Sequence, residues 1–270
     1  MSFSRSSSQV YFESLFPGPQ GIPFRGLKKD TYLRRQLSTI EAARFKQCLD
    51  SDACFYYYKA LLSYMESIPA IENRNFSWAT VRLYYSVYYA TKATLACRHI
   101  AIVRAERKLF YVKANNGESF KKCTDTTDHK AAMYTLRDLY GSVDELQSQT
   151  IDGKLSYEWM MDKREEVNYK DIQFHDPNPP DFWETINQDI INSGVVSVIN
   201  DLVNDEWIYS FQDDYGILAI PTKRLLLTVT DIINAGIEVS LNEEQKFFIE
   251  EYSNSLSEDT QNALLIWRQT

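Results

Sequence analysis

Residues 79–93 read ATVRLYYSVYYATKA, and this stretch decides the fold that we expect for the chain. In and around it, large side chains recur every three or four positions, which is typical of a helix. They form two adjacent stripes, one of Trp78, Arg82, Tyr85, Tyr89, Lys92 and Ala96, the other of Val81, Tyr84, Tyr88, Thr91 and Leu95. Two neighbouring stripes predict a helix over about 77–98 that is buried around much of its circumference, as in the centre of a bundle.

Capping signals on either side predict further helices. Ser38 followed by Glu41 forms a capping box, and a second helix is expected over about 52–67, ending before Pro69. Other helices are expected over about 128–140, 156–169 and 182–202, from Pro221 to about Gly236, after Asn242 and after Ser257. The chain is therefore predicted to be mainly α, a helical bundle with a small insertion and a helical C-terminal extension.

The insertion departs from the helical period. Ile100 and Ile102, the apolar run 109–112 and the sequence Asn115-Asn116-Gly117 predict a β-hairpin within residues 100–122. A further short strand, separate from the hairpin, is expected over about 207–211.

Two segments suggest where the chain divides. Residues 1–37 are rich in Ser, Pro, Gly and Arg, which predicts a flexible arm that is disordered or lies over the body. Its basic stretch, 25–35, is either solvated or contacts a phosphate or a partner. The strongest break, 176–180, separates a bundle of residues 38–176 from the extension 181–270, or it is a turn within one helical array.

Composition excludes several functional classes. The 270 residues carry a net charge of −8, which argues against attraction of the whole surface to nucleic acid or to an anionic membrane. The 29 Lys and Arg residues still leave room for a local basic patch. No apolar run approaches the roughly 20 residues of a membrane helix, and the N-terminus lacks the apolar core of a secretory signal. We therefore expect a cytoplasmic protein without a membrane partner.

Metal and cofactor signals are weak. The four cysteines form no CxxC pair and the chain has three histidines, so free thiols in a reducing compartment are expected instead of a metal site. The acidic residues of 201–206 and 213–214 lack a ligand spacing and are interpreted as solvated surface. No phosphate-binding glycine loop, serine nucleophile elbow or zinc-protease motif is present. We predict no cofactor and no metal.

Three segments, in order, resemble the HEPN superfamily. Residues 79–93, with an Arg, Tyr-Tyr pairs and a closing Lys-Ala, are similar to its signature helix. Thr127-Asp128-His129-Lys130-Ala131 resembles its Ser-His-Lys helix start, and 163–169 resembles its Arg-x-x-Ala-Asp-Tyr end. The resemblance covers about 76–175 and implies a bundle of four or five helices, to which the hairpin, the arm and the C-terminal third are additions.

The resemblance also implies two classes of function. Many HEPN proteins are metal-independent ribonucleases, in which a His base and an Arg cation act on the ribose 2′-hydroxyl and the phosphate across a dimer interface. Here Arg164 is present, but Tyr169 stands where that His is expected, and a phenol is a poor base at neutral pH. The first class is thus a prokaryotic antiviral-defence or toxin–antitoxin effector that cleaves or binds RNA or nucleotides. The second is an inactive module that docks onto a partner protein.

Arg164, Tyr169 and His129 are the candidate catalytic residues. Arg164 either grips a phosphate or an acidic partner, or pairs with a carboxylate of a neighbouring helix. Tyr169 either takes part in chemistry or packs its ring with a hydrogen-bonded hydroxyl in the core. His129 follows Asp128 at a helix start, where the positive helix end favours a neutral ring suited to a base, or it only occupies the capping turn.

The candidate binding residues are Asn168, Lys130, Arg82 and His175. Asn168 is expected on the helix face of Arg164, and His175 becomes relevant if the following turn folds it back.

The aromatic stripes of the helix over 77–98 lead to two further expectations. Arg82 and Lys92 either stack on Tyr85 or Tyr89 or form the floor of a cationic groove. The stripes also leave apolar surface to cover, which predicts a homodimer or a hetero-complex with a partner protein.

Overall fold

Helices make up most of the chain, so the mainly α prediction is confirmed. The structure is a computed structural model that describes residues 5–18, 21, 22, 24, 27–125 and 127–268, with Lys29 described by its backbone alone. The helices are α1 Ser7–Ser14, α2 Lys29–Arg34, α3 Thr39–Met65, α4 Ser67–Glu72, α5 Phe76–Cys97, α6 Asp128–Tyr140, α7 Ser156–Glu165, α8 Glu184–Ser193, α9 Val195–Asn204, α10 Asp213–Asn234, α11 Glu243–Ser253 and α12 Glu258–Leu264. The strands are β1 Ile100–Ala105, β2 Lys108–Lys113, β3 Lys121–Lys122, β4 Thr150–Ile151 and β5 Lys154–Leu155.

Local capping chemistry fixes several helix starts. The Glu41 N–H donates to Ser38 Oγ at 3.3 Å, and the Ser38 N–H donates to the Glu41 carboxylate at 2.8 Å. Asn242 and Gln245 form the same reciprocal box at the start of α11, and the Ser257 side chain caps α12. These bonds satisfy backbone donors that have no partner inside the helix. The three predicted starts are confirmed.

The positions of Pro69 and Pro221 relative to the helices differ from the predicted ones. The two helices expected before Pro69 are one continuous helix, α3, and the chain then restarts as α4 with Pro69 in its first turn. The first turn tolerates proline because its N–H groups have no intrahelical acceptor. Pro221 lies inside α10, which begins at Asp213, so the predicted start of that helix is wrong.

Backbone geometry corrects two further boundaries. The helix expected over 182–202 is divided into α8 and α9 at Gly194, whose φ of +84° is incompatible with a continuous right-handed helix. The strand expected over 207–211 is wrong as well. Trp207 has a φ of +71° and Tyr209–Phe211 form a 3₁₀ turn.

Two compact units make up the chain, and each contains several segments. The first unit comprises 1–56, 91–139 and 231–238, and the second unit comprises 57–90, 140–230 and 239–270. The break at 176–180 lies inside the second unit. This division therefore differs from the predicted one, in which that break separated 38–176 from 181–270.

The predicted hairpin is confirmed within the first unit. Strands β1 and β2 pair antiparallel from Ile100 opposite Lys113 to Ala105 opposite Lys108, and β3 adds a short third strand. Asn115-Asn116-Gly117 lies after β2, not at the tip of the hairpin.

The described residues of the N-terminal segment are packed within the first unit, so of the two predicted alternatives they lie over the body. The N–H groups of Ser7 and Ser8 donate to the Asp52 carboxylate at 2.6 and 2.9 Å. Phe12 of α1 belongs to a buried aromatic cluster that also contains Phe16, Phe24, Tyr32 and Phe120. Arg25, which begins the predicted basic stretch, lies outside the described residues.

A buried ion pair connects three segments of the second unit. Arg224 of α10 donates from Nη1 to the Asp144 carboxylate at 2.9 Å, and both side chains are 1% exposed. Arg224 also donates to the Tyr157 hydroxyl at 3.0 Å, and that hydroxyl donates to Asp144 at 3.3 Å. Burial raises the pKa of Tyr157, which keeps the phenol a neutral donor.

We expect Asp144→Ala to lower the free energy of unfolding by about 3–5 kcal/mol, because it leaves the Arg224 charge buried without a counterion. Denaturant unfolding monitored by circular dichroism measures the change. Asp138→Ala is the matched control, since Asp138 pairs with Arg137 at the surface and such a pair contributes about 0–1 kcal/mol. Equal effects of the two substitutions would contradict the expectation.

Candidate functional site

Helix α5 has one buried and one open side in the second unit. The buried stripe contains Val81, Tyr84 and Tyr88, as the periodicity predicts. The other stripe is only partly covered, and Trp78 keeps 46% of its surface exposed. We call this open stripe the tyrosine ridge and define it as Trp78, Arg82, Tyr85 and Tyr89. The prediction of a helix buried around much of its circumference is therefore too strong at the ridge.

Aromatic and cationic groups flank the tyrosine ridge. The rings of Tyr85 and Tyr89 are stacked with centroids 6.0 Å apart and planes 28° apart. The Lys59 ammonium lies 5.3 Å from the Tyr89 ring centroid. At the other end of the ridge, Trp78 contacts Phe174 edge-on at 5.8 Å.

Arg164 lies against this aromatic group without a carboxylate partner. Its guanidinium carbon lies 4.7 Å from the Tyr84 ring centroid and 5.3 Å from the Tyr169 ring centroid. Its Nε is buried and has no hydrogen-bond partner. Among the residues that the structure describes, none forms an ion pair with Arg164. The predicted alternative of a paired, structural arginine is thus not what the described residues show.

A π turn brings Tyr169 to Arg164. Helix α7 ends at Glu165, and residues 166–170 continue as a π turn in which the Asp171 N–H donates to the Glu166 carbonyl at 3.1 Å. In an α-helix, residues five apart point about 140° away from each other, because each residue rotates the helix by about 100°. The wider turn reduces this angle, so the two side chains can meet.

Tyr84 is the residue of the site that the sequence did not single out. Burial raises the pKa of its phenol to about 12, and the nearby Arg164 cation opposes this rise. The hydroxyl is therefore neutral at physiological pH. Tyr84 was predicted as part of a buried stripe, but nothing in the local sequence indicates that its ring meets Arg164.

The other candidate residues near the π turn have open surroundings. Tyr169 is 70% exposed, so the prediction that it packs in the core is wrong. Asn168 is half-buried within the π turn, where the α-helical spacing assumed for it does not apply. His175 is exposed, and its Nε2 lies 3.5 Å from the Asp171 carboxylate.

Arg82 and Lys92 each contact a residue that was not predicted as a partner. Arg82 donates to the Glu66 carboxylate, so the expected stacking of this residue on Tyr85 or Tyr89 is replaced by an ion pair. Lys92 belongs to the first unit, where its ammonium lies 4.1 Å from the Tyr56 ring centroid.

His129 and Lys130 lie in the first turn of α6, as predicted, and both are half-buried. This helix belongs to the first unit, whereas Arg164, Asn168, Tyr169, Arg82 and His175 belong to the second. Asp128, beside His129, forms an ion pair with Arg104 of β1 at 2.7 Å.

No group of three or more His, Cys, Asp or Glu side chains in the described part of the chain is placed to hold a metal ion. The four cysteines are buried and form no disulfide, and burial raises the pKa of Cys123 to about 11. No described helix is long and apolar enough to cross a membrane.

Comparison with known proteins gives no further guide to this site. A scan against protein-family models, a search of curated proteins and a search of solved structures each found no match. The function is therefore inferred from the residues of this chain and their geometry.

We expect the free energy of unfolding to fall as pH rises from about 10 to about 12, because the phenol pKa of Tyr84 is higher in the folded chain than in the unfolded one. The contribution of the neutral Tyr84 phenol to the free energy of unfolding is fully present below pH 10. A shift of about 2 pKa units corresponds to about 3 kcal/mol. Urea unfolding at pH 8, 10 and 11 should show a shallower decline for Tyr84→Phe than for the unsubstituted chain. Identical declines of the free energy of unfolding in the two proteins would contradict a raised pKa for Tyr84.

Proposed function

We propose that the chain is a HEPN-like protein of a prokaryotic defence or toxin–antitoxin type that binds single-stranded RNA or nucleotides. The observation that carries the proposal is the half-buried Arg164 guanidinium, which lies against two tyrosine rings and has no carboxylate partner among the described residues. A permanent cation in that setting retains its capacity to bind an anion.

The tyrosine ridge supplies the second half of such a site. Unpaired bases stack on exposed aromatic rings, and each base contributes about 1–3 kcal/mol by this contact. Tyr85 and Tyr89 offer two stacked, partly exposed rings, with Lys59 beside them and Arg164 close to the adjoining Tyr84. Stacking rings next to cations favour a single strand over a duplex, whose bases are already paired and stacked.

A ribonuclease form of this function needs a base as well as a cation. Arg164 would stabilise the charge that grows on the attacked phosphate. His175 is the one histidine of the sequence that belongs to the second unit, and its Nε2 lies 3.5 Å from the Asp171 carboxylate, so it is the histidine that could act as this base. Tyr169 is exposed beside Arg164 and can donate a hydrogen bond to the phosphate.

The second candidate function is an inactive module that docks onto a partner protein. The π turn and the loop after it favour this function, because Tyr169 and Phe174 are exposed and Ile172 is fully exposed. Three large apolar or aromatic side chains within six residues form a surface of the kind that partner proteins cover. The net charge of −8 also favours a protein partner over RNA.

We expect Arg164→Ala to weaken binding of a fluorescent single-stranded 15-nucleotide RNA about tenfold or more, with an unchanged melting temperature. Arg164→Lys should restore little, because lysine lacks the planar, two-pronged donor set. Tyr85→Ala combined with Tyr89→Ala should also weaken binding about tenfold or more, through lost stacking. Fluorescence anisotropy measures both effects.

Lys108→Ala is the matched control for the loss of a cation, since Lys108 is an exposed residue of β2 in the first unit. The same preparations, incubated with RNA in EDTA, test for metal-independent cleavage. If cleavage occurs, Arg164→Ala should reduce its rate about a hundredfold or more. A destabilised Arg164→Ala protein with unchanged RNA binding per folded molecule would refute the assignment.

We expect the chain to form a homodimer, or a complex with a partner protein, that covers the loop after the π turn. Ile172→Asp should shift light scattering at tens of micromolar towards the monomer, or abolish capture of the partner, because it places a charge in an apolar contact. Ile40→Asp is the control, since Ile40 is an exposed residue of α3 in the first unit. A chain that is monomeric before substitution and captures no partner would contradict this expectation.

A further inference from the structure

Helix α11 of the second unit exposes two adjacent phenylalanines. Phe247 and Phe248 keep 62% and 40% of their surfaces exposed. Phe248 also contacts the Tyr252 ring edge-on at 5.2 Å, so the aromatic surface extends by one turn. Exposed phenyl rings in a group are a feature of interaction surfaces, whereas single exposed apolar residues are common on any protein.

The fold does not need these two rings to hold α11 in place. The opposite side of the helix carries Ile249 and Ser253, which are both fully buried. Glu250 accepts a hydrogen bond from Trp267 Nε1 at 2.9 Å, and the capping box fixes the start of the helix. The exposed rings are therefore available for a contact outside the chain.

Carboxylates bracket the two rings along the helix. Glu244 precedes them by three and four residues, and Glu251 follows by the same intervals, so all four side chains share one helix face. Both glutamates are exposed. We call this set, Glu244, Phe247, Phe248 and Glu251, the Glu–Phe face. The one lysine of α11, Lys246, forms an ion pair with Glu243 at 2.9 Å.

We propose that the Glu–Phe face binds a basic amphipathic segment of a partner protein. Apolar side chains of the segment would cover the rings, and its Arg or Lys side chains would pair with the carboxylates and lie over the ring faces. The charge selects this occupant, because two bracketing carboxylates repel RNA phosphates and leave an apolar partner with uncompensated charges. The Glu–Phe face shares no residue with Arg164 or the tyrosine ridge, so the proposal does not rest on RNA binding.

The test uses the full chain and a synthetic helical probe peptide of 18 residues. Leucines at helical spacing form one face of the peptide, and arginines fill the other positions. A second peptide has the same leucines with glutamate in place of arginine. Titration calorimetry at low and at high salt measures binding. We expect the basic peptide to bind, with an affinity that falls at high salt, and the acidic peptide not to bind.

Two variants locate the contact. Phe247→Ser combined with Phe248→Ser should weaken binding of the basic peptide at least tenfold, and so should Glu244→Lys combined with Glu251→Lys. The second variant removes no apolar side chain, so it tests the proposal even if the first one folds poorly. Ile191→Ser combined with Ile208→Ser is the matched control, because both isoleucines are exposed to a similar degree on other segments of the second unit.

Several results would overturn the proposal. These are absence of binding, equal binding of the acidic peptide, and equal losses in the Glu–Phe and control variants. Self-association of the unsubstituted chain that disappears with Phe247→Ser and Phe248→Ser would also overturn it, because a second copy would then occupy the face.

Discussion

A guanidinium group cannot give up its proton, so Arg164 stays charged wherever the chain places it. Half-burial without a carboxylate is tolerable because the faces of Tyr84 and Tyr169 offer it a weak negative potential. That contact in turn requires Tyr84 on the inward side of α5 and a widened turn after α7. The open stripe of α5 then runs beside a cation that no described residue neutralises, and the proposed site depends on this combination.

The second unit also contains an arginine, Arg224, that stabilises the fold. Arg224 is fully buried, and it is matched by a carboxylate from Asp144 and a hydroxyl from Tyr157. The Arg224 guanidinium donates hydrogen bonds to oxygen atoms of both residues, which is the condition for burying an ion pair without a large penalty. Arg164 is only half-buried, and although it hydrogen-bonds the Tyr84 hydroxyl, it has no carboxylate partner among the described residues. The charge of Arg224 is thus enclosed by the protein, whereas the charge of Arg164 remains accessible to an anion.

Local chemistry made part of this structure predictable. The Ser38–Glu41 box and the helix over 128–140 depend on residues a few positions apart, and both were predicted from the sequence. The break at Gly194 and the 3₁₀ turn at 209–211 depend on backbone angles that the spacing of apolar residues does not indicate, and both were missed. At the site, Arg164 could be singled out from the sequence, but the pairing of Arg82 with Glu66 and the exposure of Tyr169 could not. Helical spacing assumes 3.6 residues per turn, and the π turn departs from it.

The π turn at residues 166–170 also sets which changes this part of the chain can accept during evolution. A π turn corresponds to one residue more than an α-helical turn holds. Loss of one residue between Arg164 and Tyr169 would return the segment to a regular helical turn, whereas gain of one more residue would rotate the loop that carries Phe174 by about 100°. Exchange of one side chain for another leaves that geometry in place. The segment is thus constrained in length more strictly than in composition.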